Sequence, residues 1–251
     1  GSAIGSGINV SYHYQVHIVP NLASITNLPL TQAHDLFDAT SNLDSFVALS
    51  GALKSLAVNL SKMSNDLRLI SSGPRSGLHE INLPAKQAGS SIMPGKVNPV
   101  IPEVVNQVAF EMIGFDATIT AAAEAGQLEL NAFEPIIFKS LIAGIEHLTR
   151  AMDTLRINAV DGITINKSRL SQDIDLSASF ATAMAPIIGY QEAAKIAKES
   201  LRTGKSLRQI AENKGVFSED ELAHIFKVED IVINARTPEH GLVLHAPKAK
   251  A

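Results

Sequence analysis

The sequence predicts an all-α protein, a bundle of long helices of the kind that packs side by side, followed by a small C-terminal helical domain. Three stretches carry apolar residues at helical spacing over twenty or more residues each. Beyond Asp161 and Gly162 the pattern breaks into shorter segments. We therefore expect a central bundle domain over residues 1–164 and a small domain over residues 165–251. Its tail after Thr237 is expected to be flexible.

The first long helix is predicted over Asn42–Ile70. Its apolar residues recur every three or four positions and form one broad face, and the segment contains no proline. At 1.5 Å per residue such a helix is about 40 Å long, which is typical of a bundle. The apolar residues are Leu43, Phe46, Leu53, Leu56, Leu60, Met63, Leu67 and Ile70.

Two further long helices are predicted, one from Pro99 to about Thr120 and one from Ala132 to about Asn158. Pro99 and Pro102 are compatible with a helix start, because the first turn needs no internal N–H donors. Part of the apolar surface of the three helices is expected to face other subunits. The two apolar stripes are Ile101, Val104, Val105, Val108, Met112, Phe115 and Ile119, and Ile136, Leu141, Ile145, Leu148, Met152 and Leu155.

The C-terminal domain is predicted to contain five short helices. Ser206 and Ser218 are placed to cap the starts of two of them, and residues 218–221 have the Ser-x-x-Glu form of a capping box. Gly204 and Gly215 are placed at helix ends. The predicted helices cover about 167–176, 178–184, 190–203, 206–213 and 218–226.

Composition narrows the class of protein. The chain has 251 residues, of which 45% are hydrophobic and 18% charged, so it is large enough to bury a substantial core. A net charge of −4 argues against a nucleic-acid partner. Without cysteine the chain has no disulfide or thiolate metal site, which fits a cytoplasmic location. No apolar run is long enough to cross a membrane, and no secretory signal is present, so no membrane partner is expected.

The segment with the most candidate functional side chains is the loop Gly89-Ser-Ser-Ile-Met-Pro-Gly-Lys-Val-Asn98. Glycine-rich backbone can present N–H groups to an anion, and Lys96 supplies a positive charge that a carboxylate would seek. A hydroxyl beside an ammonium group is suited to proton transfer. The same composition also fits an ordinary surface turn, because Gly, Pro and Ser commonly mark loops.

The loop resembles the signature of the fumarase/aspartase superfamily, Gly-Ser-Ser-x-Met-Pro-x-Lys-x-Asn, at every fixed position. Other segments resemble the same superfamily, so the resemblance covers most of the chain. It implies a bundle enzyme whose active sites each draw residues from three subunits of a homotetramer. The further matching segments are Gly1–Asn9, Ser50–Leu53, Asn65–Arg68, Ser72–Arg75 and Gly126–Asn131.

The resemblance also implies roles for individual residues. Ser90 corresponds to the general base, which removes a proton from the carbon next to a carboxylate. Lys96 and Asn98 would stabilise the charge that builds up on that carboxylate, and Ser91 is a further substrate contact. Glu103 stands where fumarases have a glutamate that pairs with a histidine from an earlier segment. No cofactor is expected.

The residues after the signature favour one branch of the superfamily. Pro102-Glu103 followed by Asn106-Gln107-Val108 resembles aspartases, as does the segment 126–131. The expected reaction is the reversible elimination of ammonia from L-aspartate to give fumarate. A class II fumarase acting on L-malate is the alternative within the superfamily, and a non-catalytic helical assembly module is the alternative outside enzymology.

Full-length members of the superfamily are nearly twice as long as this chain. Their N-terminal half contributes the Thr and Ser residues that hold the substrate carboxylates, together with a Thr-His pair. We therefore expect this chain to correspond to the C-terminal part of such an enzyme and to be inactive, or nearly so, by itself.

His13 and His17 are four residues apart, a spacing that can bind a metal ion on a helix. No third ligand follows at a suitable spacing. The sequence therefore predicts no metal site.

Overall fold

The computed structural model describes residues 2–93, 95–177 and 179–227, except for the side chain of Asp175. Nearly all regular structure in these residues is helical, so the all-α prediction is confirmed. The chain forms two compact units, the first ending at Ile165 and the second beginning at Asn166. The predicted tail after Thr237 lies outside the described residues.

In its described residues, the first unit contains five α-helices, one 3-10 turn and two short strands. The strands pair antiparallel, with Ile81 opposite Ile165. In chain order the elements are α1 (Tyr12–Thr26), α2 (Asp38–Ser41), α3 (Asp44–Ile70), β1 (Ile81–Asn82), α4 (Val100–Glu124), α5 (Glu134–Asn158), a 3-10 turn (Val160–Gly162) and β2 (Thr164–Ile165).

Helix α1 was not predicted from the sequence. Pro20 lies inside it and removes one internal hydrogen bond, and a proline at this position argues against a helix in the sequence. Its start is nevertheless well defined, because the Ser11 hydroxyl accepts the Tyr14 N–H at 3.3 Å. Asn27 ends it in the left-handed conformation.

Helices α3, α4 and α5 form the predicted bundle, with bounds within a few residues of those expected. Side-chain contacts show that α3 and α4 run antiparallel. Ser50, near the start of α3, bonds to Asp116 towards the end of α4 at 2.8 Å. Asn106, near the start of α4, donates to the Ser61 hydroxyl at 2.9 Å. The end of α3 and the start of α4 therefore lie side by side.

The bundle core follows much of the predicted apolar pattern. Small residues among the large ones let the helices approach closely, as at Gly144, where an added Cβ would lie 2.7 Å from the Met112 sulfur. Several residues of the predicted stripes are instead exposed in the single chain, among them Leu56, Met63 and Ile145. The two core clusters comprise Ala57, Leu60, Val105, Ala109, Met112, Leu148, Ala151, Leu155 and Ala159, and Leu43, Ile119, Ala122, Ile137 and Leu141.

One carboxylate lies inside the bundle. Asp116 accepts hydrogen bonds from Lys54 at 2.5 Å and from Ser50 at 2.8 Å. Burial raises the pKa of Asp116, but the hydrogen bonds from Lys54 and Ser50 outweigh it, and the pKa lies below its ordinary value. The charged form is therefore the stable one within the fold.

The second unit contains α6 (Lys167–Leu176), α7 (Phe180–Ile188), α8 (Tyr190–Thr203), α9 (Leu207–Lys214) and α10 (Glu219–Ile225). The predicted caps are confirmed: Ser206 and Ser218 form capping boxes, and Gly204 and Gly215 end helices in the left-handed conformation. Helix α7 extends beyond the predicted end at 184, and residue 178, its predicted start, lies outside the described residues. The core contains Phe180, Met184, Ala193, Ile196, Leu207, Ile210, Ala211, Phe217, Leu222, Ile225 and Phe226.

Within the described ranges, every helix is too short or too polar to cross a membrane.

Candidate active site

The signature loop lies between β1 and α4 and is closed at its base by hydrogen bonds. The Gly89 N–H donates to the Lys96 carbonyl oxygen at 3.0 Å, and the Asn98 amide donates to the Gly89 carbonyl oxygen at 2.9 Å. Residue 89 is thus bound through both its backbone polar groups. The two ends of the loop are held together, and the intervening residues project as a unit.

Gly89 is required by this closure. A Cβ at position 89 would lie 2.1 Å from the Lys96 carbonyl oxygen and 2.5 Å from the Lys96 carbonyl carbon. Real Cβ atoms do not approach backbone this closely, so any side chain at position 89 would open the loop.

Ser90 follows this closure directly and is half-buried. The Ile92 N–H donates to the Ser90 hydroxyl oxygen at 3.3 Å. A backbone N–H directed at that oxygen stabilises negative charge on it, which a serine acting as a base requires. Ser91, the next residue, is exposed.

A cavity of about 690 Å³ opens beside the loop. Among the described residues that line it, the formally charged side chains are Arg68 and Lys96, and both are positive. Hydroxyl, amide and imidazole groups make up most of the remaining polar lining. Such a cavity favours an anion with several hydrogen-bond acceptors. The lining consists of Arg68, Ser71, Ser72, Gly73, Pro74, Ser76, His79, Ile81, Asn82, Leu83, Met93, Gly95, Lys96, Val97 and Pro99.

The structure brings one of the five predicted site residues into this lining. Of the described residues, Lys96 lines the cavity, whereas Ser90, Ser91, Asn98 and Glu103 lie outside its lining. The Asn98 amide group is engaged with Gly89, so in this structure it holds the loop closed. Glu103 lies in the first turn of α4, where the helix dipole favours a carboxylate.

Arg68 is held at the cavity by a buried amide. Its guanidinium donates to the Asn106 side-chain oxygen at 3.1 Å. The Asn106 NH₂ group donates to the backbone and hydroxyl oxygens of Ser61 at 3.1 and 2.9 Å, which fixes the orientation of the amide. Because the Asn106 amide nitrogen donates to Ser61, the Asn106 amide oxygen faces Arg68 and accepts its hydrogen bond.

No group of three His, Cys, Asp or Glu side chains within the described part of the chain is arranged to hold a metal ion. Among the described residues, the carboxyl groups with lowered pKa values are Asp116, Glu192 and Glu221, and none of them lines the cavity. The positive character of the cavity therefore rests on Arg68 and Lys96.

Comparison with known proteins bears on what such a site does. A family model described as "Lyase" matches residues 1–114, and one described as "Fumarase C C-terminus" matches residues 180–232. An aspartate ammonia-lyase of Pseudomonas canavaninivorans is 49% identical over 238 residues, which is 95% of this chain and 50% of the relative. The aspartate ammonia-lyase of Pseudomonas aeruginosa is 50% identical over 232 residues, 92% of this chain and 49% of the relative.

The chain belongs to the fumarase/aspartase superfamily. It spans about half the length of the curated relatives it matches.

Solved structures from this superfamily share the fold. A structure described as "fumarate lyase:delta crystallin" from Brucella melitensis, bound to cobalt, matches with a TM-score of 0.84 at 48% identity, covering 89% of this chain and 48% of that one. A class II fumarase from Schistosoma mansoni matches with a TM-score of 0.81 at 32% identity, covering 90% of this chain and 50% of that one. The long-helix bundle is thus the superfamily's fold.

Part of the cavity lining was not predicted from the sequence. There, Asn65–Arg68 and Ser72–Arg75 indicated only the superfamily, and no function was predicted for Arg68, Ser71 or His79. One signal was available, because a polar cluster rich in serine directly follows the apolar helix α3. Its position opposite Lys96 depends on the path of the chain, including the left-handed backbone of His79 (φ 52°), and was not accessible from residue spacing.

Proposed function

We propose that this chain forms part of an aspartate ammonia-lyase and supplies the loop that abstracts a proton from the substrate. The observation that carries this proposal is the closed signature loop. It sets Ser90 beside an N–H donor, and Lys96 from the same loop lines a cationic cavity. The 49% and 50% identity to aspartate ammonia-lyases supports the choice of reaction.

In the proposed reaction the Ser90 alkoxide removes a proton from the L-aspartate carbon that lies between the amine-bearing carbon and a carboxylate. The electron pair moves into that carboxylate, giving a dianionic aci-carboxylate intermediate. Lys96 stabilises this charge where it develops, together with the second N–H of the Asn98 amide, whose first N–H bonds to Gly89. The charge then returns to form the carbon–carbon double bond of fumarate, the carbon–nitrogen bond breaks, and ammonia leaves with the bonding electrons.

Glu103 and Ser91 have supporting roles in this proposal. Glu103 pairs with a histidine contributed by another segment, as the superfamily resemblance implies, and Ser91 contacts the substrate. Arg68 adds a second fixed positive charge to the cavity, which suits a substrate with two carboxylates.

The chain spans half the length of its relatives, and we propose that the remainder is needed for activity. The superfamily resemblance assigns the residues that hold the substrate carboxylates to that other half. By itself, the 251-residue chain is expected to show no measurable turnover.

Self-association as a homotetramer is part of the same proposal. Exposed residues of α5 recur at alternating spacings of four and three, the pattern of a helix-packing seam. Phe138, Ile142, Ile145 and Met152 carry most of it, and Ile142 is 66% exposed in the single chain. Surfaces of this kind usually mark protein–protein contacts. Ile142→Glu is expected to reduce the molar mass of the assembly in light scattering.

The test is the ultraviolet absorbance of fumarate after L-aspartate or L-malate is added. It compares the 251-residue chain with a chimera in which the uncovered N-terminal half of the Pseudomonas aeruginosa relative precedes this chain. Fumarate from L-aspartate by the chimera alone is the expected result. Fumarate from L-malate would replace the proposal with a class II fumarase. If a folded chimera produced no fumarate from either substrate, the chain would instead be a non-catalytic helical assembly module.

A further inference from the structure

We propose that His13 and His17 on α1 form a binding site for a divalent transition-metal ion, completed by water molecules. The sequence alone predicted no metal site, because no third protein ligand follows these histidines at a suitable spacing. The structure adds three observations on which this proposal rests, and these are independent of the proposed lyase activity.

The first observation is a contact between the His17 ring and the backbone, which assigns the tautomer of His17. Its Nδ1 lies 2.7 Å from the His13 backbone carbonyl oxygen. A carbonyl oxygen can only accept, so Nδ1 of His17 carries the hydrogen and donates. In the neutral ring Nε2 then has a free lone pair. Metal-binding histidines typically show this arrangement, with one ring nitrogen donating to a backbone carbonyl and the other facing the metal.

The second observation is the mutual geometry of the two rings. They are stacked with centroids 4.2 Å apart and an angle of 26° between their planes, so both project from the same face of α1. To bind one ion, the rings must turn out of this stack so that one nitrogen of each faces the ion. Both side chains are exposed and accessible to an ion from solution. Imidazole pairs suit Ni²⁺, Cu²⁺ and Zn²⁺, whereas Mg²⁺ prefers oxygen ligands.

The third observation is the surroundings of the pair. Helix α1 contains no Asp, Glu, Lys or Arg, so its own residues offer no carboxylate to compete for the imidazoles and no cation to repel a metal ion. All fifteen residues of α1 are described, and none is buried. Pro20 weakens the helix further. A metal ion that links positions 13 and 17 would therefore stabilise the part of α1 that precedes Pro20.

The experiment uses the 251-residue chain without an affinity tag and titrates it with NiCl₂ in a calorimeter. The wild-type chain is expected to bind Ni²⁺ with an affinity that His13→Gln and His17→Gln each lower by about tenfold or more, since each removes one of two ligands. His34→Gln removes an exposed histidine elsewhere and serves as the matched control, with unchanged affinity. Cu²⁺ is expected to bind more tightly than Ni²⁺, and Mg²⁺ not at all.

A spacing control separates chelation from binding to single imidazoles. The double variant Gln15→His, His17→Gln keeps the number of histidines but places them two residues apart, where they do not face each other on a helix. It is expected to bind as weakly as His17→Gln. Equal affinity in this variant and the wild type would overturn the proposal.

Two readouts test the structural basis without relying on affinity. Nitrogen-15 NMR of the metal-free chain is expected to show His17 in the Nδ1–H tautomer. Hydrogen exchange is expected to slow over residues 12–19 when Ni²⁺ is added to the wild type, but not when it is added to His17→Gln. An Nε2–H tautomer, or equal protection in both proteins, would refute the site, and circular dichroism confirms that each variant is folded.

Discussion

Replacing Gly89 with alanine tests whether the closed signature loop positions the catalytic groups. The new Cβ would lie 2.1 Å from the Lys96 carbonyl oxygen, whereas ordinary contacts begin near 3.4 Å. The loop must therefore shift by about 1 Å or more at this point. The hydrogen bond from the Gly89 N–H to Lys96 and the one from Asn98 to Gly89 would be broken or bent.

The expected effect is large on activity and small on stability. A misplacement of about 1 Å costs roughly 10²-fold in rate, which corresponds to about 2.7 kcal/mol of transition-state stabilisation. The free energy of unfolding should fall by no more than about 2 kcal/mol, because the two hydrogen bonds that close the loop contribute about 1 kcal/mol each. The bundle core does not include the loop.

The assay is kcat/KM for L-aspartate in the chimera, together with its thermal midpoint. The matched control is Gly51→Ala in α3, where an added Cβ meets no atom within 4 Å. Alanine in a helix interior stabilises by up to about 1 kcal/mol relative to glycine, so this variant should keep its activity. If Gly89→Ala retained more than half of the wild-type kcat/KM, the loop closure would not be what positions Ser90 and Lys96.

Three further predictions concern stability. Asp116→Ala should lower the free energy of unfolding by about 2 kcal/mol at neutral pH, because charged hydrogen bonds to Lys54 and Ser50 are lost. The lowered pKa of Asp116 means that its contribution is present above its ordinary value of 3.8 and disappears as pH falls through the folded-state value, so urea titrations of the two proteins should converge in acid. Gly144→Ala should cost about 1–3 kcal/mol in urea unfolding, because its Cβ meets Met112. Ser206→Ala should cost about 1 kcal/mol in thermal unfolding through loss of the α9 capping box, and Ser206→Thr should restore most of it.

The helices could largely be predicted because their determinants are local. Apolar spacing of three and four identifies α3, α4 and α5, and the capping residues Ser206 and Ser218 identify α9 and α10 to within a residue. Helix α1 was missed for the same reason, since Pro20 is a local signal against a helix although the helix continues through it. Residue spacing does not show which apolar residues the chain buries, because buried and exposed residues share the same stripe, as Leu60 and Leu56 of α3 do.

The buried polar residues of the bundle were harder to predict. Ser50, Asn106 and Asp116 are all buried, although their residue types are usually exposed. Each can be buried because a specific residue on the neighbouring helix forms a hydrogen bond with its side chain. These partners are separated along the chain by dozens of residues, so the pairs become apparent only when the register of α3 against α4 is known.

The same register explains why the cavity lies where it does. Since α3 and α4 are antiparallel, Arg68 in the last turn of α3 comes beside Asn106 near the start of α4. The segment between the two helices must leave and return at the same end of the bundle. It carries both the serine-rich lining and the signature loop, so Arg68 and Lys96 line the same cavity although they are far apart in sequence. Asn106→Leu should therefore weaken substrate binding in the chimera through Arg68, raising KM more than it lowers kcat, whereas a purely structural role would lower the thermal midpoint with KM unchanged.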